Sequence, residues 1–257
     1  MQERFQVIGD LLAKRQKMTV HELREQLGVS IATLRRDLTE LEDAGKIIRV
    51  RGAVVHPLFF RREPSLVQKG RAAVGSKRAI AAAAARLIPS GSSVMIDAGT
   101  TCLALGRLLL PRTDLTIITH SLPLATLAYE NETAAKMICI GGEVRAVSGA
   151  TIGAIALPWL QSLRADWCFL GASGLSSDEG ASTTELHEAA MKQGLLRRVK
   201  NRVLLSDSRK WEQPATVTFA AWDKFDIWIT DEAISTKDAR QVQKQGPRVI
   251  RASSKEK

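Results

Sequence analysis

The chain has 257 residues, 45% of them hydrophobic, a net charge of +10 and three cysteines. That length accommodates a small domain beside a larger one, and no apolar run approaches the ~20 residues of a membrane span, so a soluble, cytoplasmic protein with no membrane partner is expected. Cys102, Cys139 and Cys168 form no Cys-x-x-Cys pair, and His21, His56, His120 and His187 lack ligand spacing, which leaves no basis for a disulfide framework, a metal site or a cofactor.

The charge is unevenly placed. Residues 1–78 hold 16 Lys and Arg against 9 Asp and Glu, while the remainder holds 21 against 18. A basic head on a near-neutral body is the footprint of nucleic-acid binding.

Phe5, Ile8, Leu11 and Leu12 line one face of a first helix over Glu3 to Lys14. Thr19-Val20-His21-Glu22 has the form of a capping box, opening a short helix with Val20, Leu23 and Leu27 inward. Gly28-Val29 makes the turn, because glycine enters the left-handed conformation that ends a helix. Ser30 then caps a third helix that runs to about Ala44 and stops at Gly45. Its apolar face is Ile31, Leu34, Leu38 and Leu41, and Arg35 and Arg36 point elsewhere. This is helix-turn-helix layout. Lys46 to Val55 interleaves β-branched residues with arginines and reads as a hairpin, or wing. Thr33, Arg35 and Arg36 are expected to face the DNA groove. Ser30 and Lys46 are expected to contact the backbone, as are Arg49 and Arg51 from the wing.

The segments Arg4-x-x-x-Ile8, Val29-Ser30-x-x-Thr33-Leu34-Arg35-Arg36-Asp37-Leu38, Leu41-Glu42-x-x-Gly45 and Arg49-Val50 resemble the signature of the DeoR family of repressors. Where that family usually shows His-Gly-Gly-Ala in the wing, this chain has Arg51-Gly52-Ala53-Val54.

Pro57, Pro64, Gly70 and Gly75 punctuate the next stretch and argue against continuous helix or strand, so residues 57–76 read as a linker between a head, 1–56, and a body, 77–257. Phe59 and Phe60 are too apolar for a free tether and are expected to dock on a domain or across a dimer.

The body alternates strand-like runs at 93–97, 115–119, 136–140, 166–170, 203–206 and 226–230 with helices near 77–88, 101–110, 122–130, 153–163, 184–199 and 236–244. Such alternation implies an α/β domain with a mostly parallel sheet covered by helices. Ligands of open α/β sheets bind beyond the strands' carboxyl ends. Asp97 with Gly99-Thr100-Thr101, His120-Ser121, Gly141-Gly142, Gly171 and Asp207 with Lys210 all fall at such ends. Glycine admits close approach, and the helix after Gly99 offers unpaired amides to an anion, with a phosphate as the natural guest. Asp97 and Asp207 are candidates to accept hydrogen bonds from sugar hydroxyls, the alternative being that either simply caps a helix. Ser182-Thr183-Thr184-Glu185 reads as a second capping box, opening a helix with Glu188 and Lys192 four residues apart. That spacing favours a surface salt pair, the alternative being Glu188 facing the ligand crevice.

The body is also similar to the DeoR-family effector domain, in Ile96-Asp97-Ala98-Gly99-Thr100-Thr101, Gly141-Gly142, Phe169-Leu170-Gly171-Ala172, Glu188 with Lys192, Asp207-Ser208-Arg209-Lys210 and Ile229-Thr230-Asp231. The resemblance implies a fold similar to ribose-5-phosphate isomerase and coenzyme A transferases, and an effector that is a phosphorylated sugar or related metabolite. At the middle of the usual Thr-Asn-Ser this chain carries His120. The leading reading is a transcriptional repressor of carbohydrate utilisation, a homodimer or homotetramer on double-stranded operator DNA. Two others are a sugar-phosphate isomerase or transferase with a DNA-binding head, and a nonspecific architectural DNA binder.

Overall fold

The computed structural model describes residues 2–15, 17–44, 46–50, 53–55 and 63–253. Two compact units divide the chain, one within residues 1–63 and one within 64–257.

The first unit contains α1 (Gln2–Arg15), β1 (Lys17–Thr19), α2 (Val20–Leu27), α3 (Ile31–Asp43), β2 (Ile48–Val50) and β3 (Ala53–Val55). The local chemistry acts as the sequence dictates. Thr19 and Glu22 form the reciprocal capping box of α2, Gly28 ends α2 at φ 62°, and the Ser30 hydroxyl accepts the Thr33 amide at the start of α3. Ile8, Leu12, Leu23, Leu34, Leu38 and Leu41 make the core. Two details differ from expectation. Ile31, placed on the apolar face, is 41% exposed, and Asp37 is buried in its stead. The Asp37 carboxylate accepts a fork from Arg4 of α1, Nε at 2.8 Å and a second nitrogen at 3.2 Å, which satisfies the carboxylate inside. The wing gains a third strand, since β1 pairs antiparallel with β3, in the order β1-β3-β2. Gly45 and Arg51 lie outside the described residues, as do Phe59 and Phe60.

The second unit begins with α4 (Leu66–Arg71) and α5 (Val74–Ala85), so helix occupies part of the stretch read as linker. Ser65 and Gln68 form a capping box at the start of α4, and Pro64 precedes the cap, where it obstructs no helical hydrogen bond. There follow β4 (Ser93–Ile96), α6 (Thr100–Leu109), β5 (Thr116–Thr119), α7 (Leu122–Glu130), β6 (Lys136–Cys139), β7 (Glu143–Arg145), β8 (Ala150–Ile152), α8 (Ala156–Ser162), β9 (Ala165–Gly171), β10 (Gly174–Ser176), β11 (Gly180–Thr183), α9 (Leu186–Leu196), β12 (Val199–Leu205), β13 (Val217–Ala220), β14 (Ile227–Asp231), α10 (Thr236–Gln243) and β15 (Arg248–Ala252).

The main sheet runs β15-β14-β12-β9-β4-β5-β6, and every pairing in it is parallel. Alternate residues feed opposite layers, as strand geometry requires. Val94, Ile96, Ile117 and Phe169 pack with α5, α6 and α7, whereas Met95, Ile118, Cys168 and Leu170 pack with α8, α9 and α10. The chain order reverses between β4 and β9, and that switch point is where a parallel sheet opens a crevice. Beside the main sheet lie a β7–β8 hairpin and a β10-β11-β13 sheet, neither foreseen from the sequence. The helix expected at 184–199 is α9, capped by the Glu185 carboxylate, while Ser182 and Thr183 belong to β11, so the second capping box is not formed there.

Candidate nucleic-acid interface and anion site

On α3 the buried leucines turn the opposite side outward. Arg35 and Arg36 are exposed, Thr33 is half-buried and Ser30 is exposed at the helix start, its hydroxyl 2.8 Å from that of Thr33. Asp37, the carboxylate nearest the two arginines in sequence, is engaged by Arg4. A surface pairing of the arginines with Asp37 is thereby replaced by a cationic face. Lys46 is exposed after α3. Arg49 of β2 is tied to the helix, its amide donating to Glu42 Oε1 at 3.2 Å and its guanidinium to Thr39 Oγ1 at 3.3 Å. The head thus presents a helix N-terminus and an arginine face supported from behind, the form that enters a major groove.

In the second unit the switch point is closed by one carboxylate. Asp97, at the end of β4, is 1% exposed. Its Oδ2 accepts the Gly171 amide from β9 at 2.8 Å and the Lys192 ammonium from α9, and its Oδ1 lies 2.9 Å from His120 Nε2 at the end of β5. His120 Nδ1 lies 3.0 Å from Thr151 O, and the Ala98 amide donates to Nε2 at 3.3 Å. Lys192 also donates to Gly171 O at 3.1 Å. Burial by itself pushes the Asp97 carboxyl up. The Lys192 charge and the His120 hydrogen bond outweigh it and hold the group down at about 2. For Lys192 burial acts downward, and Asp97 and Glu188 overcome it to leave the ammonium raised.

This geometry corrects one expectation and gives protein partners to the residues of another. Glu188 and Lys192 do not form a surface pair with each other, because both are buried. Glu188 takes Arg145 at 3.1 Å and the Thr183 hydroxyl at 3.0 Å, and Lys192 goes to Asp97. Asp97 and Asp207, expected to receive sugar hydroxyls, have protein partners on both oxygens, Asp207 from the Arg209 fork at 2.8 and 3.2 Å.

The neighbouring N-terminus of α6 is open. Gly99 sits at φ 121°, where only glycine is at ease, a Cβ added to it meets nothing within 4 Å, and no side chain caps the helix. Thr100 is half-buried and Thr101 buried beside it. Lys210, half-buried beyond β12, donates to Ala172 O. Burial lowers it to about 8, and the charges of Lys69, Lys77 and Lys192 act in the same direction against Asp207. Lys77 of α5 is 6% exposed and is likewise pushed down by burial. Lys69 carried no signal in the sequence beyond its charge, since the stretch it occupies reads as linker, and Lys77 falls at the first position of the helix expected near 77–88.

Other expected residues have local structural partners. Ser121 caps α7, its hydroxyl accepting the Leu124 amide. Gly141 and Gly142 follow β6, the edge strand, and a Cβ on Gly142 would lie 2.6 Å from Ile152 O, which makes this glycine a packing requirement. Gly171 is at the centre, its amide on Asp97.

A winged head with an arginine-faced helix, joined to an α/β body with a cationic crevice, defines a DNA-binding transcriptional regulator. The chain belongs to the DeoR family: residues 4–57 match the DeoR-like helix-turn-helix domain and residues 72–232 the DeoR C terminal sensor domain. It is similar to the uncharacterized HTH-type transcriptional regulator YgbI of Escherichia coli, 33% identical over 95% of this chain and 94% of that one. HTH-type transcriptional regulator GlpR of Haloferax volcanii is 32% identical over 96% of each chain, and the glycerol-3-phosphate regulon repressor of Escherichia coli 31% over 89% of this chain and 90% of its own. Ribose 5-phosphate isomerase A of Methanocaldococcus jannaschii overlaps in part, with a TM-score of 0.38 and 17% identity over 52% of this chain and 53% of that one. As a family member the protein is a transcriptional regulator and not an enzyme. Among the described residues no helix is long and apolar enough to cross a membrane.

Proposed function

We propose that the protein represses a carbohydrate-utilisation operon in the cytoplasm, and that a phosphorylated sugar or related metabolite, bound at the carboxyl edge of the main sheet, changes its affinity for the operator. The observation that carries this reading is the uncapped α6 N-terminus, whose Thr100 lines one cavity with Lys77, with Lys210 bonded to Ala172 O just after β9, beside a carboxylate already neutralised by Lys192. Amides and ammonium groups without a competing free carboxylate suit a phosphate ester. In the head, Thr33, Arg35 and Arg36 read the groove, and Ser30, Lys46, Arg49 and Arg51 hold phosphates. Within the body, Gly99, Thr100, Thr101 and Lys210 take the phosphate. Asp97, His120, Gly171, Glu188 and Asp207 shape the crevice behind it, with Ser121, Gly141 and Gly142 supporting the outer strand ends. The names of the Escherichia coli glycerol-3-phosphate regulon repressor and of a putative aga operon transcriptional repressor in Escherichia coli O157:H7 support a carbohydrate target. A homodimer or homotetramer places two heads on one face of a duplex, about 34–36 Å apart.

The test is a thermal-shift screen of phosphorylated sugars and polyols against their unphosphorylated counterparts, since a ligand of the native state raises its melting temperature. Calorimetry of a hit with and without operator DNA then measures coupling, expected at roughly 1–3 kcal/mol and reciprocal between the two ligands. Equal effector affinity in both titrations removes the regulatory mechanism. No shift with any phosphate ester removes the site.

A further inference from the structure

The stretch from Ala146 to Leu163 is the longest in the chain without Asp, Glu, Lys or Arg, in a protein that is 25% charged. It closes with α8, and α8 is firmly seated. Ala156 and Leu160 are buried on its inner side, and a Cβ built on Gly194 of α9 would lie 2.7 Å from the Leu160 side chain. The outer side is bare. Ile155, at the cap of the helix, is 74% exposed and Trp159 is 61% exposed, and Pro158, Gln161 and Ser162 stand exposed beside them. Ile155 and Trp159 are one helical turn apart and share a face.

Exposed apolar residues scattered singly are ordinary. A tryptophan and an isoleucine together on an uncharged helix face have instead the composition of an interface centre. An interface of standard size takes about 800 Å² from each partner and sets a charge-poor, aromatic centre inside a polar rim. The two side chains leave about 250 Å² in water for such a centre.

The ends of α8 carry the rim. Glu143 of β7 stands on its N-terminal side, a carboxylate oxygen lying 3.6 Å from a Cβ built on Gly153. Arg164 follows its C-terminal end, and both charged residues are exposed. Gly153 and Arg164 are equally far in sequence from the step between Pro158 and Trp159. A twofold axis through that step, perpendicular to α8, brings Glu143 of one copy toward Arg164 of the partner subunit at both ends of the helix pair. It also sets Trp159 beside its own counterpart. A charge near such an axis would meet its like, and this face has none there. Each chain carries a net charge of +10, so two copies repel at long range. This face offers them an uncharged centre with attraction at both ends. A partner of unrelated sequence requires no such end-to-end symmetry.

We infer that the outer face of α8 is the docking surface for a second copy of this chain, with the two α8 helices antiparallel across a twofold axis near Trp159 and Glu143 paired with Arg164 at each end. This rests on the oligomeric reading above and gives it a surface. Because α8 packs on α9, which carries Glu188 and Lys192, the contact between copies stands one helix away from the Asp97 centre.

Sedimentation velocity of the full-length chain over a range of concentrations tests this, with the far-UV circular-dichroism spectrum as the control for folding. The parent is expected to sediment as a dimer or tetramer. Trp159→Glu removes the aromatic centre and sets two carboxylates near the axis. It is expected to weaken association about a thousandfold, from a loss of about thirtyfold for a hot-spot side chain on each copy, so that a dimeric parent falls to monomers and a tetrameric one to dimers. Glu143→Arg and Arg164→Glu are each expected to weaken association about tenfold, and the double variant, which exchanges the two charges, to return to within about threefold of the parent. A parent that is monomeric throughout removes the oligomeric reading and this surface together. A parent that assembles, with Trp159→Glu assembling equally well, overturns the surface and leaves the oligomer standing on another face. Dissociation by Trp159→Glu with no recovery in the double charge variant overturns the antiparallel pairing. Should Trp159→Glu lose the parent spectrum, the charge exchange decides alone, since recovery in the double variant requires the two residues to meet across copies.

Discussion

Asp97→Asn is the most informative perturbation of the sensor unit. The carboxylate is shared by Lys192, the Gly171 amide and His120, and only one oxygen survives in asparagine. Gly171 and Lys192 share Oδ2, so an asparagine that keeps its oxygen there turns its NH2 toward His120. The buried ammonium then has two neutral carbonyls, that of the asparagine and Gly171 O at 3.1 Å, in place of a carboxylate. Removing one partner of a buried ion pair costs about 3–5 kcal/mol, because the survivor stays buried and uncompensated. The double variant Asp97→Asn/Lys192→Met removes both charges and is expected to recover at least half of that loss. An acid titration of wild type gives an independent figure. Asp97 falls from an ordinary 3.8 to about 2, which is worth about 2 kcal/mol. That contribution is complete above pH 3.8 and is lost as the pH falls through about 2. All five tryptophans lie within residues 64–257, so urea unfolding followed by their fluorescence reports on this unit without the head. A loss below about 1 kcal/mol for Asp97→Asn, or strict additivity in the double variant, would refute the central role given to this carboxylate.

Arg35→Ala and Arg36→Ala are each expected to weaken operator binding by about 1–3 kcal/mol without lowering the melting temperature, and whichever contacts a phosphate reduces the salt slope by about 1 in a filter-binding series. Lys210→Met is expected to remove anion binding and its pH dependence. In wild type, sulfate affinity holds below pH 8 and falls as the pH rises through about 8, because the anion requires the charged ammonium, and calorimetry in buffers of different ionisation enthalpy reads the accompanying proton uptake. Leu34→Ala, at a fully buried position of α3, is expected to destabilise the head by about 2–5 kcal/mol in circular-dichroism melts, and a cost under 1 kcal/mol contradicts the facing assigned to α3.

The features that were legible in the sequence are those whose causes are local. Thr19 with Glu22, Ser30 with Thr33 and the left-handed Gly28 are decided within four residues, and the structure realises all three. The parallel sheet was legible because strands buried on both faces read as continuous apolar runs. Ile31 went wrong through a non-local cause: Arg4, 33 residues away, makes Asp37 tolerable inside, and the helix rotates its stripe accordingly. Glu188 and Lys192 failed likewise. Their spacing satisfies the helical pairing rule, but Arg145 and Asp97, 43 and 95 residues distant, offer drier partners. The strands β10, β11 and β13 are three or four residues long, too short for periodicity to register. For α4 a signal did exist, the Ser65-x-x-Gln68 cap, but the density of proline and glycine around it hid the helix.

The buried Asp97–Lys192 pair also has to be explained as chemistry rather than as a source of stability. Desolvating two charges offsets most of their attraction, and an apolar pair of the same volume would hold the fold about as well. What an apolar pair lacks is direction. Asp97 fixes the end of β4 to the Gly171 amide on β9, to α9 through Lys192 and to β5 through His120, so four elements meet on one side chain with defined angles. These are the strand ends on both sides of the switch point, where the anion site is proposed and where small shifts in position matter most to a bound group. His120 extends the constraint outward, since its other ring nitrogen is held by Thr151 O at 3.0 Å, next to the β7–β8 turn that anchors α4. Four elements held on one buried side chain give the proposed crevice a rigid floor, so a ligand bound there shifts a population only through contacts that differ between two states of the protein.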